Sequence, residues 1–220
     1  MKKYYVFVDV DGTLIKIKSM FSFLEFYYKK QNKAFGALRF QHYMFWTKIY
    51  EFLKVERTHL NKRYYKQFKG CRVEDIDQLG SEWFKVHFNS DLLIHNVVKE
   101  VQEHKSSGAE VVMVSGSFVP CLKPIADTLG VKHILATELH HKSGEYTGEI
   151  KAPQTIGQGK ALRIQAFLEK NKGASSADCF AYGDHESDLP MLESVGHACV
   201  VAGDPVLEKE ARLKNWKIIN

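Results

Sequence analysis

The sequence predicts a doubly wound α/β fold, a parallel sheet with helices on both faces, carrying a helical insertion after its first strand. Three observations carry that expectation. Tyr4 to Val10 is a β-rich, almost wholly apolar run, the pattern of a strand buried on both faces. Beyond about residue 90, short apolar strand-like runs alternate with segments of helical periodicity. Between these regions, from about Ser19 to Phe88, aromatic residues become dense and proline is absent.

Within the insertion, Phe35, Leu38, Phe45, Ile49 and Phe52 recur at helical spacing and share one face. Arg39, Gln41, Lys48 and Glu51 interrupt that stretch too often for a membrane span. The expected organisation is an α/β core of residues 1–15 and 91–220 with a helical unit of residues 16–90 between them. In the second half, Asp91–Lys105 is predicted helical, with Leu93, Val97 and Val101 on one face, and Ser107-Gly108 breaks to the strand Val111–Val114. Pro120–Leu129 reads as a helix and His133–Ala136 as a short strand. Lys142-Ser143-Gly144 reads as the turn of a hairpin between Glu138-Leu139 and Tyr146-Thr147. A helix over Lys160–Lys170 and a strand over Cys179–Tyr182 follow. Asp204-Pro205 suits the N-cap and first turn of a last helix, and Trp216–Ile219 closes the fold as a strand.

The composition is that of an ordinary globular protein: 220 residues, 45% hydrophobic and 26% charged. The net charge of +5 is uneven. Residues 16–90 carry 15 Lys and Arg against 7 Asp and Glu, whereas the rest of the chain carries 16 against 19. Such a surplus marks an anionic partner or, more commonly, a solvated helical face. Cys71, Cys121, Cys179 and Cys199 form no C-x-x-C pair and read as free thiols in a reducing compartment; His140-His141 lacks the neighbours of a zinc site. Lys2 and Lys3 lead into an apolar stretch too short and too acidic for a signal peptide, so a cytoplasmic location is expected.

In doubly wound sheets, ligands bind beyond the carboxyl ends of the strands. Three predicted strands end there in polar groups: Asp9 and Asp11, Ser115-Gly116-Ser117, and Gly183-Asp184. Residues i and i+2 of a strand project to the same side, roughly 6–7 Å apart. Two carboxylates held so close repel each other, and a divalent cation offsets that cost. Gly12 permits a tight turn, and Thr13 offers a hydroxyl to an anionic oxygen. The Ser115 hydroxyl and the backbone donors at Gly116 form an anion-binding corner, although Ser115 could equally cap the next helix. Lys160 opens a helix against the macrodipole, which suggests a compensating anion, although a surface lysine is the commoner case. Asp184 is expected to face the first pair, with Asp188 one turn on, unless Asp188 caps the helix containing Pro190. Hard oxygen donors in this number suit Mg²⁺.

The order D-x-D-G-T, S-G-S after a strand, a lone Lys and G-D-x-x-x-D resembles the haloacid dehalogenase-like hydrolase superfamily. The segments Val112–Ser117, Pro124–Ala126, Leu135–Thr137, Tyr146–Gly148 and Asp188–Leu192 resemble its phosphoserine-phosphatase-like branch. The resemblance implies a Rossmann-like core, a helical cap, and Mg²⁺-dependent hydrolysis of a small phosphomonoester through an aspartyl phosphate. It further implies Asp9 as nucleophile and Asp11 as general acid, then base. Ser115 and Lys160 would bind the phosphoryl group. Mg²⁺ would sit on the Asp9 carboxylate, the Asp11 carbonyl and Asp184, with Asp188 in support. Phosphoserine phosphatases carry an acidic residue shortly after the first motif, where this sequence has Lys16-Ile17-Lys18-Ser19. That difference favours a substrate with added negative charge or an apolar body, and phosphoserine itself is the alternative. Phe21, Phe23, Phe26, Tyr27 and Trp46 either line a pocket or pack helices together. A receiver-like phosphotransfer domain fits poorly, because it lacks a seventy-residue insertion. Binding of nucleic acid is not expected, because no stacking motif or clear Lys/Arg stripe marks the basic segment as a nucleic-acid or anionic-membrane module.

Overall fold

A computed structural model describes residues 3–220. Strand β1 (Tyr5–Val8) leads into helices α1 (Ser19–Gln31), α2 (Gly36–Phe52), α3 (Arg57–Tyr65) and α4 (Val73–His87). Then come α5 (His95–Ser106), β2 (Glu110–Ser115), α6 (Val119–Leu129), β3 (His133–Ala136) and the pair β4 (Leu139–Lys142) and β5 (Glu145–Ile150). Helix α7 (Gln158–Lys170), β6 (Phe180–Gly183), α8 (Leu189–Glu193), β7 (His197–Val201), α9 (Pro205–Leu213) and β8 (Lys217–Ile219) complete the order.

Six strands form a sheet in the order β3-β2-β1-β6-β7-β8, and every pairing in it is parallel. The chain winds outward from β1 to one edge and then from β1 to the other, so the switch point lies at β1. Burial on both faces explains the unbroken apolar run Tyr5–Val8, every residue of which is inaccessible to solvent. The expected hairpin is present: Ser143 and Gly144 have φ of 52° and 81°, the left-handed pair that a two-residue turn requires. Asp204 caps α9 by accepting from the Val206 and Leu207 amides.

Two expectations shift. The helix placed over Asp91–Lys105 begins only at His95. The Lys16 amide donates to Leu92 O at 2.8 Å and the Ile94 amide to Leu14 O at 2.9 Å, so the two crossings between core and helical segment pair with each other. That backbone pairing, together with a 3-10 turn over Ser90–Leu92, keeps Leu93 and Ile94 out of the helix. Phe35, Leu38, Phe45, Ile49 and Phe52 do share one side of α2, but that side faces solvent, while Tyr43 and Thr47 face inward.

The helical segment is continuous in packing with the sheet. Phe23, Tyr64 and Trp83 belong to the same hydrophobic cluster as Val6, Phe118 and Ile125. Helices α4 and α6 approach so closely at Gly80 that a Cβ there would fall 2.1 Å from the Pro120 carbonyl oxygen.

Candidate active site

The parallel register brings the ends of β1, β2 and β6 to one rim. The Asp9 amide donates to Tyr182 O at 3.0 Å, which extends the β1–β6 pairing to the residue that carries the carboxylate. Beyond it the chain folds back, with the Leu14 and Ile15 amides both donating to Val10 O, and Gly12 turns at φ +99°. Asp9 and Asp11 both reach the same cavity. Oδ2 of Asp11 accepts from the amide and hydroxyl of Ser19, at 2.9 and 3.0 Å, at the start of α1. Its Oδ1 is buried with no partner among the described residues. Burial pushes the Asp11 carboxyl up to about 6, against the opposing pull of Ser19, Lys18 and Lys160.

Lys160 settles its two readings by position: it is buried, and Nζ donates to Asp9 Oδ1 at 2.6 Å and to Asp188 Oδ1 at 2.7 Å. The anions that offset its placement against the α7 dipole are therefore these two carboxylates. Burial alone would lower the ammonium, but Asp188 and Asp9 outweigh it and the net shift is upward. The Asp9 carboxyl is pushed upward by burial, with Lys160 opposing and Asp188 and Asp184 adding to the rise. Asp188 makes no capping bond to α8; its second oxygen accepts from the Asp184 amide at 3.3 Å.

Ser115 is likewise not a helix cap, since α6 starts at Val119 with Phe118 as its N-cap. Its Oγ accepts from the Ser117 amide at 3.1 Å, and Ser115, Gly116 and Ser117 all border the cavity. Thr13, expected at the anion, is fully buried, and its hydroxyl donates to Asp184 Oδ1 at 2.9 Å. Thr13 thus orients a carboxylate from behind the cavity wall.

The donor chemistry fits a divalent cation. Carboxylate oxygens of Asp9, Asp184 and Asp188 lie within 4.8 Å of one another, and the one buried ammonium among them, Lys160, leaves excess negative charge. The Asp11 carbonyl faces the same locus, because Lys18 Nζ donates to it at 3.0 Å while lying 3.9 Å from Asp184 Oδ2. A positive group is therefore already accommodated between two of the expected ligands.

Above these groups lies a cavity of about 250 Å³. Met20, Phe21, Tyr43, Leu60 and Tyr64 supply its apolar wall from α1, α2 and α3. Of the aromatics weighed as pocket or packing, Phe21 lines the cavity, whereas Phe23, Phe26 and Tyr27 pack in the core and Trp46 lies on the outer side of α2. Arg57 and Asn61 were not anticipated. Arg57 Nη1 donates to Ser187 Oγ at 2.7 Å, tying α3 to the loop after β6, and Asn61 borders the cavity with a buried amide nitrogen that has no partner among the described residues. Arg57 opens α3 against its dipole, the same signal that marked Lys160. Asn61 has no such signal.

A family profile described as haloacid dehalogenase-like hydrolase matches residues 6–193, a span that includes every residue placed in the site. The chain is a haloacid dehalogenase-like hydrolase. Among curated relatives, a protein of Mycobacterium tuberculosis named as a probable phosphatase is 42% identical over 120 residues, 54% of this chain and 41% of its own length. A histidinol-phosphatase of Neisseria meningitidis is 32% identical over 123 residues, 54% of this chain and 55% of its own. The matches thus span about half the length of these relatives. A solved phosphoserine phosphatase, in the form of a phospho-aspartyl intermediate analogue, superimposes with a TM-score of 0.67 at 19% identity, covering 99% of this chain and 100% of the other. The hydrolase thus has the α/β fold that its motifs predict. The family assignment also removes the receiver-like reading.

Proposed function

We propose that the hydrolase is a Mg²⁺-dependent phosphatase that transfers the phosphoryl group of a small phosphomonoester to Asp9 and then to water. The observation that carries this reading is the Asp9 carboxylate at the cavity floor, fixed by Lys160 at 2.6 Å and ringed by Asp11, Ser115 and Gly116. Asp9 attacks phosphorus as the ester bond breaks, and an acyl phosphate divides one displacement into two. Asp11 gives its proton to the departing alkoxide from the free Oδ1, then takes one from the water that attacks the acyl phosphate. Lys160, the Ser115 hydroxyl and the Gly116 amide oppose the charge on the equatorial oxygens. Asp9, Asp184 and the Asp11 carbonyl, with Asp188 behind, would hold Mg²⁺, which would add to the neutralisation of that charge.

The apolar and aromatic wall favours a substrate body larger than serine. Of the two substrate types named among the relatives, histidinol phosphate suits Phe21, Tyr43 and Leu60 better than phosphoserine, because its imidazole can lie against them. Lys16 and Lys18 follow the first motif, and Glu51 borders the cavity as a carboxylate for the amine that both substrates carry, so the apolar wall is what separates them. Hydrolysis of p-nitrophenyl phosphate that needs Mg²⁺ and disappears in Asp9→Asn is the expected result. Full turnover by that variant would remove Asp9 as the nucleophile. A panel of phosphomonoesters should place histidinol phosphate above phosphoserine in kcat/KM, and the reverse order rejects the substrate assignment while leaving the chemistry intact.

A further inference from the structure

Helix α2 is apolar on two opposite sides. The inner side, centred on Tyr43 and Thr47, closes the cavity. The outer side carries Leu38, Phe45, Trp46, Ile49 and Phe52, with Phe35 and Leu53 at the two ends. Phe35, Leu38, Phe45 and Leu53 are 60% to 67% exposed and Phe52 is 86% exposed. Single exposed apolar residues are ordinary; a continuous stripe along a helix is not. Trp46 lies 5.8 Å from Phe45, 6.2 Å from Tyr50 and 6.4 Å from His42 between ring centroids, so the stripe includes an aromatic group already assembled.

Its borders are basic. At 100° per residue, Arg39 flanks the stripe on one side and Lys48 on the other, and Lys33 and Lys54 stand at its ends. Glu51 is the single acidic residue between 33 and 54. Lys33, Lys48 and Lys54 make no ion pair among the described residues, unlike Lys29 and Lys30 of α1, which pair with Glu25 and Glu82.

We propose that this side of α2 docks the protein on an anionic phospholipid bilayer, with the helix lying in the plane of the interface. Phe, Trp and Leu enter the boundary between headgroups and acyl chains, and Lys33, Lys48 and Lys54 meet lipid phosphates, while Arg39 stays folded over the Tyr28 ring. No helix among the described residues is long and apolar enough to cross a membrane, so the attachment is peripheral. A second copy of this chain fits less well. Two such faces would bring basic border against basic border. A 17-residue helix is also only roughly 26 Å by 10 Å, well short of the roughly 800 Å² per partner of a stable interface. Nucleic acid fits less well again, because the aliphatic Leu38, Ile49 and Leu53 of the stripe offer no stacking surface to a base. Since the opposite side of α2 lines the cavity, attachment would hold the site against the bilayer surface.

The test is flotation of the full chain with vesicles of phosphatidylcholine alone and of equimolar phosphatidylcholine and phosphatidylglycerol. Flotation with the anionic vesicles at low salt, weakened by added salt, is expected. The double variant Phe45→Ser/Phe52→Ser should lower the partition coefficient by about tenfold or more, since two aromatic side chains that would enter the bilayer are lost. It should keep its aryl phosphatase rate in solution. If that variant fails to fold, Lys48→Glu should weaken flotation in the same direction. No flotation at low salt overturns the proposal, as does undiminished flotation of a folded double variant. A dimer in sedimentation equilibrium, or retention on single-stranded RNA, that the double variant abolishes overturns it in favour of that other partner.

Discussion

Gly12 and Asp184 approach so closely that a Cβ on the glycine would lie 2.1 Å from Asp184 Oδ2. The backbone there has φ +99°, a region that side chains rarely enter. Gly12→Ala is therefore expected to displace Asp184 and to strain the turn by about 1–3 kcal/mol. The measurable outcome is a Mg²⁺ activation midpoint raised by about tenfold or more, which corresponds to the loss of one oriented ligand. An unchanged midpoint would show that Asp184 is not a ligand.

Lys160 is shared between two buried carboxylates, and Lys160→Met leaves both without a cation. Breaking a buried pair costs about 3–5 kcal/mol, so a large fall in melting temperature at neutral pH is expected. The sign with pH follows from burial, which raises Asp9 in the folded state. A folded carboxyl that binds its proton more tightly than the unfolded chain gains stability as pH falls. The deficit of the variant should accordingly narrow between pH 8 and pH 5, and a constant deficit would contradict the pairing.

Asp11→Asn keeps the shape of the side chain and, on the roles proposed above, removes the proton given to the leaving group. With an activated aryl phosphate, whose leaving group needs little protonation, the second step should suffer more than the first. Intact-mass measurement on the quenched variant should show a species heavier by one phosphoryl group. Its absence, together with wild-type turnover, would assign the acid elsewhere.

His104, near the C-terminal end of α5, is bonded to the hydroxyls of Tyr4 and Tyr182. Burial lowers its affinity for a proton, opposed by Glu100 and Glu103 and reinforced by Lys217 and His197. The unfolded chain then takes up a proton first, near the ordinary value of 6.5, and stability is lost as pH falls through that point. Thermal melts between pH 7.5 and pH 5.5 should show a smaller decline in His104→Gln than in the parent.

Much of the site was legible because its residues sit at sequence-local punctuation. Asp9 and Asp184 each follow a buried apolar strand and Ser115 ends one, and a parallel sheet sends all such ends to one rim. Lys160 was legible through its conflict with a helix dipole. The cap side was not. Asn61 and Arg57 meet the site through the tertiary placement of α3, and no local spacing encodes where a helix lands. Thr13 illustrates a finer limit: its place in the motif was plain, but only the fold shows that its hydroxyl reaches Asp184, 171 positions away in the chain. The outward side of α2 is the same kind of case, since periodicity identifies a face but not what it meets.

The central position of β1 has a consequence for biosynthesis. The strand preceding Asp9 is made before both of its sheet neighbours, β2 and β6, and Lys160 and Asp188 arrive later still than β2. No nascent chain shorter than about the length that includes α8 holds the carboxylates and the ammonium together. Turnover is therefore an all-or-nothing report on completed assembly, and a ribosome-bound fragment ending before residue 184 should be silent however well its helices have formed.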